Sequence, residues 1–250
     1  SERLNADQVG YRYPGADESA LKDVSFSLKR GEIIGLVGLS ASGKSTFSRL
    51  VKGLIEPVAG RFYLKRDHKP VVQLDSRRRM NIIGWTDSHP ERQIFASTVE
   101  EETGYGAANQ GLKGAELTGR VEWALRSVGF EPVDYVRRDP RRLSGGEKRR
   151  LALAGVVAMQ TPYYMFDEPT AGLDYIGKRF YLSMIEELKR NGSAVVWITH
   201  DIRILKGAVD RVWGMERGSL VLDMEACGLD WRRLARIMES RESLRKTAAS

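Results

Sequence analysis

Residues 38–45 read Gly-Leu-Ser-Ala-Ser-Gly-Lys-Ser and fit the pattern G-x-x-x-x-G-K-[ST]. The apolar run at 33–37, directly before them, predicts a strand. A helix is expected over 44–52, ended by Gly53, because glycine accepts the left-handed conformation common just past a helix. A strand, a glycine-containing loop and a helix in this order are typical of a loop that binds phosphates.

The chemistry of this phosphate loop follows from its residue types. Its backbone N–H groups can point inward at phosphates, and the helix that follows adds a favourable dipole potential for anions. We expect the Lys44 ammonium to meet the β- and γ-phosphates and the Ser45 hydroxyl to bind Mg²⁺, a hard ion that prefers oxygen. The candidate nucleotide-binding residues of the loop are Gly38, Ser40, Ala41, Ser42, Gly43, Lys44, Ser45 and Thr46.

A second motif is the apolar run Tyr-Tyr-Met-Phe at 163–166, which predicts a strand and is followed by Asp167 and Glu168. An acidic pair at a strand end is often only a helix cap. Beside a phosphate loop, however, Asp167 is expected to reach the metal and Glu168 to polarise the attacking water. The sequence therefore predicts hydrolysis of a nucleoside triphosphate.

A third motif, Leu-Ser-Gly-Gly-Glu-Lys at 143–148, precedes a helix predicted at 149–159. The N–H groups of Ser144, Gly145 and Gly146 could bind a second set of γ-phosphate oxygens. Further motifs follow in order, and they read Asp-Glu-Pro-Thr at 167–170, Ala-Gly-Leu-Asp at 171–174 and Thr-His-Asp at 199–201. Together these stretches resemble the ABC ATPase family over about residues 9–223.

The resemblance implies roles that the residues alone do not define. Tyr13 matches the aromatic that stacks on adenine, Asp174 the D-loop carboxylate and His200 the switch histidine. An imidazole that hydrogen-bonds to the γ-phosphate would distinguish ATP from ADP, because ADP lacks that phosphate. Tyr11 is an alternative stacking residue, because strand alternation would put it on the same face as Tyr13. Glu168, His200 and Lys44 are the candidate catalytic residues, with ATP and Mg²⁺ as cofactors.

The resemblance also implies partners. In ABC ATPases the signature of one subunit, here 144–146, covers the phosphate loop of another, so two sites are shared in a dimer. Whether the second subunit is a copy of this chain or a different ATPase chain stays open.

The stretches Pro-Glu-Arg-Gln-Ile-Phe at 90–95, Thr-Val-Glu-Glu at 98–101 and Ala-Gly-Val-Val-Ala-Met at 154–159 resemble the energy-coupling-factor branch, which imports vitamins and transition metals. That branch implies a transmembrane coupling subunit, a substrate-binding membrane protein and a location at the cytoplasmic face of the membrane.

Two positions depart from the family pattern. Ser88 stands where the family carries the Q-loop glutamine, which contacts Mg²⁺ and links the site to the membrane partner. Asp87 or a water could take its place, or coupling could be weakened. Ala41 replaces a frequent glycine of the phosphate loop, a change expected to be harmless if its backbone angles are ordinary.

The predicted fold is α/β, with a RecA-like P-loop ATPase core, an N-terminal antiparallel β subdomain and an inserted helical subdomain at about 86–155. Further strands are predicted at 21–28, 61–64, 71–74, 194–199 and 220–223, and helices at 175–190 and from about 230. The ATPase domain is placed at 1–225 and a helical tail at 226–250. The tail carries an apolar stripe of Trp231, Leu234, Ile237 and Met238.

Composition narrows the alternatives. The chain has 250 residues, one cysteine and a net charge of +7. No apolar run approaches the roughly 18 residues that span a bilayer, and residues 1–13 lack the pattern of a leader, so a cytosolic protein is expected. The charge alone fits nucleic acid, anionic lipid or a phosphate-rich ligand. The Arg77, Arg78 and Arg79 cluster is assigned no function.

Two other kinds of protein compete with a transport ATPase. A soluble ABC protein acting on DNA repair or translation usually has a second cassette or a long coiled-coil insertion, and neither is visible in this sequence. Nucleic acid is therefore not expected as a partner. A regulatory nucleotide-binding subunit with weak turnover is the other alternative, motivated by Ser88.

Overall fold

The computed structural model describes residues 2–232 and 234. Within them, the strands are β1 (Glu2–Tyr11), β2 (Leu21–Lys29), β3 (Ile33–Val37), β4 (Ala59–Arg66), β5 (Val72–Leu74), β6 (Ile83–Thr86), β7 (Tyr163–Asp167), β8 (Ala194–Ile198), β9 (Arg211–Glu216) and β10 (Ser219–Glu225). The helices are α1 (Lys44–Lys52), α2 (Ser76–Ile82), α3 (Val99–Asn109), α4 (Gly114–Ser127), α5 (Pro132–Tyr135), α6 (Gly145–Ala158) and α7 (Tyr175–Arg190).

The larger sheet has the strand order β10-β9-β3-β8-β7-β6. All neighbouring pairs are parallel except β9 with β10. Every residue of β3, β7 and β8 is buried, which explains why these strands read as continuous apolar runs. Because parallel strands end at the same edge of a sheet, the segments that follow β3, β6, β7 and β8 lie side by side.

The smaller sheet is antiparallel, in the order β2-β1-β4-β5. Helix α1 packs between the two sheets. Phe26 of β2 lies 5.4 Å from Phe47 of α1 and 5.2 Å from Trp213 of β9, measured between ring centroids. These rings belong to one of two buried apolar clusters. The predicted antiparallel β subdomain beside an α/β core is therefore present.

The second cluster lies between the larger sheet, α7 and a helical lobe built from α3, α4 and α6. Val121, Leu125 and Val128, the predicted apolar face of α4, are all buried. Helix α6 begins at Gly145 rather than at the predicted 149, because the Ser144 side chain caps it and Glu147 reaches back to the Ser144 amide. Among the described residues, no helix combines the length and the apolar character that a bilayer span requires.

The start of the predicted tail packs on the body of the protein. Trp231 and Leu234 contact the second apolar cluster, and the Leu234 amide donates to the Asp230 carbonyl at 3.0 Å. Ile237 and Met238, the rest of the predicted stripe, lie outside the described residues.

Candidate active site

The phosphate loop connects β3 to α1, and two of its glycines are sterically required. Gly43 has a φ of 106° at the N-cap of α1, a conformation that residues with a Cβ avoid. A Cβ on Gly38 would lie 2.5 Å from the Met215 carbonyl oxygen and 2.6 Å from Ser42 Oγ. The Gly218 amide, in the turn between β9 and β10, donates to the Ser42 carbonyl at 2.9 Å. The loop is therefore packed against Met215 at Gly38 and hydrogen-bonded to Gly218 at Ser42.

Lys44 lies across this loop with its ammonium directed at backbone oxygens. Nζ donates to the carbonyls of Gly38 and Leu39 at 2.7 and 2.9 Å. Burial lowers the pKa of Lys44, while the charges of Glu168 and Asp167 act in the opposite direction. Such carbonyl bonds can be exchanged for phosphate oxygens, which carry more negative charge and would favour the protonated amine.

The backbone of Ala41 does not have ordinary angles. Its φ is 59°, in the left-handed region, so the condition under which the change from glycine would be harmless is not met. A left-handed conformation costs a residue with a Cβ about 1–2 kcal/mol. Ala41 and Ser40 are exposed, whereas Ser42 is buried beneath them.

Ser45 and Asp167 are brought together from α1 and β7. Ser45 Oγ donates to Asp167 Oδ2 at 2.8 Å, and Asp167 is only 2% exposed. Burial raises the pKa of Asp167, and the nearby charges of Glu168 and Asp87 add to this, while the Ser45 hydrogen bond and Lys44 lower it. A divalent cation would favour the ionised form, and the hydroxyl and carboxylate oxygens suit a hard cation such as Mg²⁺.

Glu168 and His200 also meet. Glu168 Oε1 accepts from the His200 backbone amide at 2.9 Å and lies 2.8 Å from its Nδ1. Glu168 Oε2 accepts from the Thr199 hydroxyl at 3.3 Å. The Glu168 backbone has a φ of 49° and its amide donates to the Ile198 carbonyl at 2.9 Å. The carboxylate is thus held at the edge of the sheet by the segment after β8.

Of the two candidate aromatic residues, only Tyr13 is accessible. Strand β1 ends at Tyr11, which is 9% exposed, so the argument from strand alternation does not apply to Tyr13. Tyr13 is 40% exposed and its hydroxyl lies 3.0 Å from Thr46 Oγ1, at the start of α1. Its ring meets the Tyr11 ring edge-on, with centroids 4.9 Å apart.

Asp87 and Ser88 follow β6. Thr86 is the parallel partner of Phe166, so Asp87 comes alongside Asp167 in the sheet register. The Ser88 amide and hydroxyl both donate to Asp87 Oδ1, at 2.6 and 3.0 Å. Asp87 Oδ2 pairs with Arg49 of α1 at 3.6 Å. The Asp87 carboxylate therefore places oxygen atoms beside the predicted metal site. Ser88 is hydrogen-bonded to this carboxylate.

A sequence profile of the ABC transporter family matches residues 21–171, a range that contains the phosphate loop, the signature and the Asp167–Glu168 pair. The chain belongs to this family. It is an ABC ATPase, and ATP is the nucleotide that such cassettes bind.

Related proteins and solved structures are similar to this ABC ATPase over most of its length. The energy-coupling factor transporter ATP-binding protein EcfA of Methanocaldococcus jannaschii is 35% identical over 84% of this chain and 75% of its own length. EcfA1 of Caldanaerobacter subterraneus subsp. tengcongensis is 37% identical over 88% of this chain and 79% of its own.

Among solved structures, cbiO1 of Clostridium perfringens, part of the ABC transporter complex cbiONQ, superimposes with a TM-score of 0.75 at 30% identity, covering 97% of this chain and 93% of that one. A dimeric post-hydrolysis state of the ATP-binding cassette MJ0796, bound to ADP and Pi, gives a TM-score of 0.77 at 25% identity, covering 90% and 100%.

In this ABC ATPase, the side chains of Ser144 and Asp174 are engaged in local hydrogen bonds. Ser144 Oγ accepts from the Glu147 amide at 3.3 Å, and Asp174 Oδ1 accepts from the Gly177 amide at 2.7 Å, so each caps a helix. Ser144, Gly145 and Asp174 are exposed. Neither of these two cap bonds involves the phosphate loop at 38–46.

Two residues that contact the site were not among the predicted site residues, although Thr199 stands in the Thr-His-Asp motif. Thr199 supports the Glu168 carboxylate, and Arg149 donates to the Glu168 backbone. A basic residue in a Lys-Arg-Arg run is usually solvated. However, Arg149 lies four residues before the buried Leu153, a spacing that places it on the inward face of α6.

Proposed function

We propose that this chain is the ATP-hydrolysing subunit of an importer of the energy-coupling-factor type, acting in a head-to-tail pair of ATPase subunits. The observation that carries hydrolysis is the Glu168 carboxylate, which is fixed by His200 and Thr199 beside the Asp167–Ser45 pair. The resemblance to the two EcfA proteins carries the assignment to this branch.

The roles of the residues follow from their chemistry. Lys44 exchanges its loop carbonyls for β- and γ-phosphate oxygens, and the N–H groups of 38–46 surround the phosphates. Glu168 accepts a proton from the attacking water, as a carboxylate general base. His200, whose imidazole is largely exposed beside Glu168, donates to the γ-phosphate. Tyr13 offers its ring to the adenine.

Mg²⁺ fits the oxygen donors of this site. Ser45 Oγ and Asp167 Oδ2, which are 2.8 Å apart, would hold it together with phosphate oxygens. When bound, the ion neutralises charge on the phosphates. Asp87 follows Thr86, the sheet partner of Phe166, and of the alternatives at this position we favour Asp87 in place of the expected Q-loop glutamine.

The proposed pair gives the exposed signature a ligand. The N-terminus of α6 is exposed and presents Ser144, Gly145 and Gly146, a suitable place for the γ-phosphate held by another subunit. Asp174, at the start of α7, lies at the same shared interface in this proposal. The dimeric form of the MJ0796 cassette supports such an arrangement.

The proposed membrane partners are those that the resemblance to the energy-coupling-factor branch implies. EcfA and EcfA1 are energy-coupling factor transporter ATP-binding proteins, and cbiO1 is part of the ABC transporter complex cbiONQ. We therefore assign to this chain a transmembrane coupling subunit, a substrate-binding membrane protein that selects a vitamin or a transition metal, and a place at the cytoplasmic face of the membrane.

The hydrolytic part of the proposal is tested with the purified full chain and MgATP. Glu168→Gln should lower kcat by about 100-fold or more, as loss of a general base does, and should trap an ATP-bound dimer on size exclusion. Glu116→Gln, an exposed change on α4, is the matched control and should leave turnover unchanged. Undiminished turnover in Glu168→Gln would remove its assigned role.

The branch is tested separately by identifying the membrane proteins that co-purify with the native complex in mild detergent. We expect to recover a transmembrane coupling subunit together with a small substrate-binding membrane protein. Recovery of a transmembrane subunit of another ABC class would overturn the branch while leaving the ATPase assignment intact. ATP turnover that stays negligible in the assembled complex would favour the regulatory alternative that Ser88 raises.

A further inference from the structure

Arg149, near the start of α6, is a buried cation that bridges two segments of the active site. The residue is 9% exposed. Its Nη2 donates to the Ser88 carbonyl at 2.8 Å and to Glu91 Oε2 at 3.4 Å, both in the segment after β6. Its Nη1 donates to the Glu168 carbonyl at 3.4 Å and to the Ala171 carbonyl, both in the segment after β7.

The neighbouring Arg150 offers a direct comparison. Its Nη1 also donates to two backbone carbonyls, those of Val128 at 3.1 Å and Gly129 at 3.4 Å, and its guanidinium lies 4.5 Å from the centre of the Phe130 ring. All these contacts lie within the helical lobe. Arg150 therefore stabilises the helical lobe internally. Arg149, the adjacent residue on the same helix, connects the lobe to the edge of the sheet that carries Glu168.

The physical cost of burying Arg149 indicates a specific task. A buried guanidinium has to be hydrogen-bonded to offset its lost hydration, and the planar fork of arginine can serve two segments at once in a way that a lysine ammonium cannot. Among the described residues, the carboxylate that pairs with Arg149 is that of Glu91, at 3.4 Å. Burial acts to raise the pKa of Glu91, but its own backbone amide and Arg149 lower it on balance.

The segment that Arg149 holds is the one that aims the catalytic carboxylate. Glu168 has a φ of 49°, a conformation that persists only where surrounding contacts impose it. Its amide donates to the Ile198 carbonyl, and its carbonyl accepts from the Ala171 amide at 3.1 Å and from Arg149 at 3.4 Å. Arg149 also donates to the Ala171 carbonyl, so it holds both ends of this turn. With both backbone groups fixed, the side chain leaves the strand in one direction, toward His200.

We propose that Arg149 is a positioning residue that sets the backbone of Glu168 and so makes the place of the catalytic carboxylate depend on the helical lobe. This inference rests on the proposed role of Glu168 as the base. Ser144 lies five residues from Arg149, about 7.5 Å along the helix at about 1.5 Å per residue. A helix moves as a rigid unit over that distance, so movement of the signature reaches both 168–171 and 88–91.

The test compares Arg149→Met with Arg150→Met in the full chain, with Arg149→Lys as a second variant. Arg149→Met should lower kcat by about 10- to 100-fold, as a small misplacement of a catalytic group does, while KM for ATP stays within about threefold of wild type. Arg149→Lys should retain a kcat between those of Arg149→Met and wild type, because an ammonium can contact one of the two segments but not both. Arg150→Met should leave kcat within about threefold.

Amide hydrogen exchange without nucleotide gives a readout that needs no turnover. Exchange at 168–171 and at 88–93 should speed up in Arg149→Met and stay at the wild-type rate in Arg150→Met. Wild-type kcat and wild-type protection in Arg149→Met would overturn the inference. An inactive wild-type chain would instead count against the proposed function, and the exchange comparison would still decide the positioning role.

Discussion

Ser45 Oγ donates to Asp167 Oδ2 at 2.8 Å, which joins the start of α1 to the end of β7 within a single chain. The two residues are 122 positions apart, and the parallel order β3-β8-β7 brings their segments to the same edge of the sheet. The oxygen pair is thus assembled by the fold before a partner subunit contributes. What the partner would add is the signature, so metal binding and dimer closure can be tested independently.

The first prediction concerns this oxygen pair. Ser45→Ala removes one proposed Mg²⁺ ligand and should raise the Mg²⁺ concentration for half-maximal ATP hydrolysis by about 10- to 100-fold. Ser45→Thr keeps the hydroxyl and is the matched control, expected to stay near wild type. Magnesium titrations of ATPase rate measure both. An unchanged Mg²⁺ requirement in Ser45→Ala would exclude this hydroxyl as a ligand.

A second prediction follows from the left-handed backbone of Ala41. Ala41→Gly should raise the free energy of unfolding by about 1 kcal/mol, because glycine adopts a φ of 59° without a steric penalty. Ala108→Gly, the same change near the end of helix α3, should lower it, because glycine costs helix stability. Urea denaturation of both variants checks the two signs. A lower free energy of unfolding in Ala41→Gly would contradict the inference that the Ala41 backbone is strained.

Much of the architecture was predictable because its signals are local. Helices α1 and α7 have the predicted bounds, since Gly53 ends one and Asp174 caps the other. The strands β3, β7 and β8 are fully buried and so read as apolar runs. Once a phosphate loop follows one parallel strand, the shared sheet edge brings Asp167 and His200 to the same place.

Other features depend on contacts that a single sequence does not encode. Strand β1 was assumed only near Tyr11, because buried positions alternate irregularly with polar ones along it. Strand β9 was not predicted, because Gly214 interrupts its short apolar run. The left-handed Ala41 has no local sequence signal beyond a missing glycine. Arg149 looks like part of a solvated basic run, and only the packing of α6 against the segments after β6 and β7 reveals its contacts.

A third prediction separates Tyr13 from Tyr11. Tyr13→Ala should weaken ATP binding by about 10-fold, in line with about 1–3 kcal/mol for a base stacked on an aromatic ring, and should leave binding of inorganic tripolyphosphate unchanged. Tyr13→Phe retains the ring and should bind ATP nearly as well. Tyr11→Phe, a change within the core, is the second control. Calorimetry gives the affinities, and equal losses for ATP and tripolyphosphate in Tyr13→Ala would contradict stacking.

The last prediction uses two glycines with nearly equal φ angles to separate strain from steric clash. Gly53, with φ of 90°, would place a Cβ 2.6 Å from the Ser76 carbonyl oxygen, whereas Gly111, with φ of 98°, has nothing within 4 Å of that position. Gly111→Ala should therefore cost about 1–2 kcal/mol of unfolding free energy from strain alone.

Gly53→Ala should cost more than that amount, because the backbone carbonyl at the start of α2 has to move away and cannot do so without shifting the helix. Urea denaturation of both variants, with ATP affinity measured alongside, tests the difference. Since Gly53 ends the helix that carries Lys44 and Ser45, the shift should also weaken nucleotide binding in Gly53→Ala, while Gly111→Ala keeps its affinity. Equal losses of stability in the two variants would show that the contact with Ser76 relaxes freely.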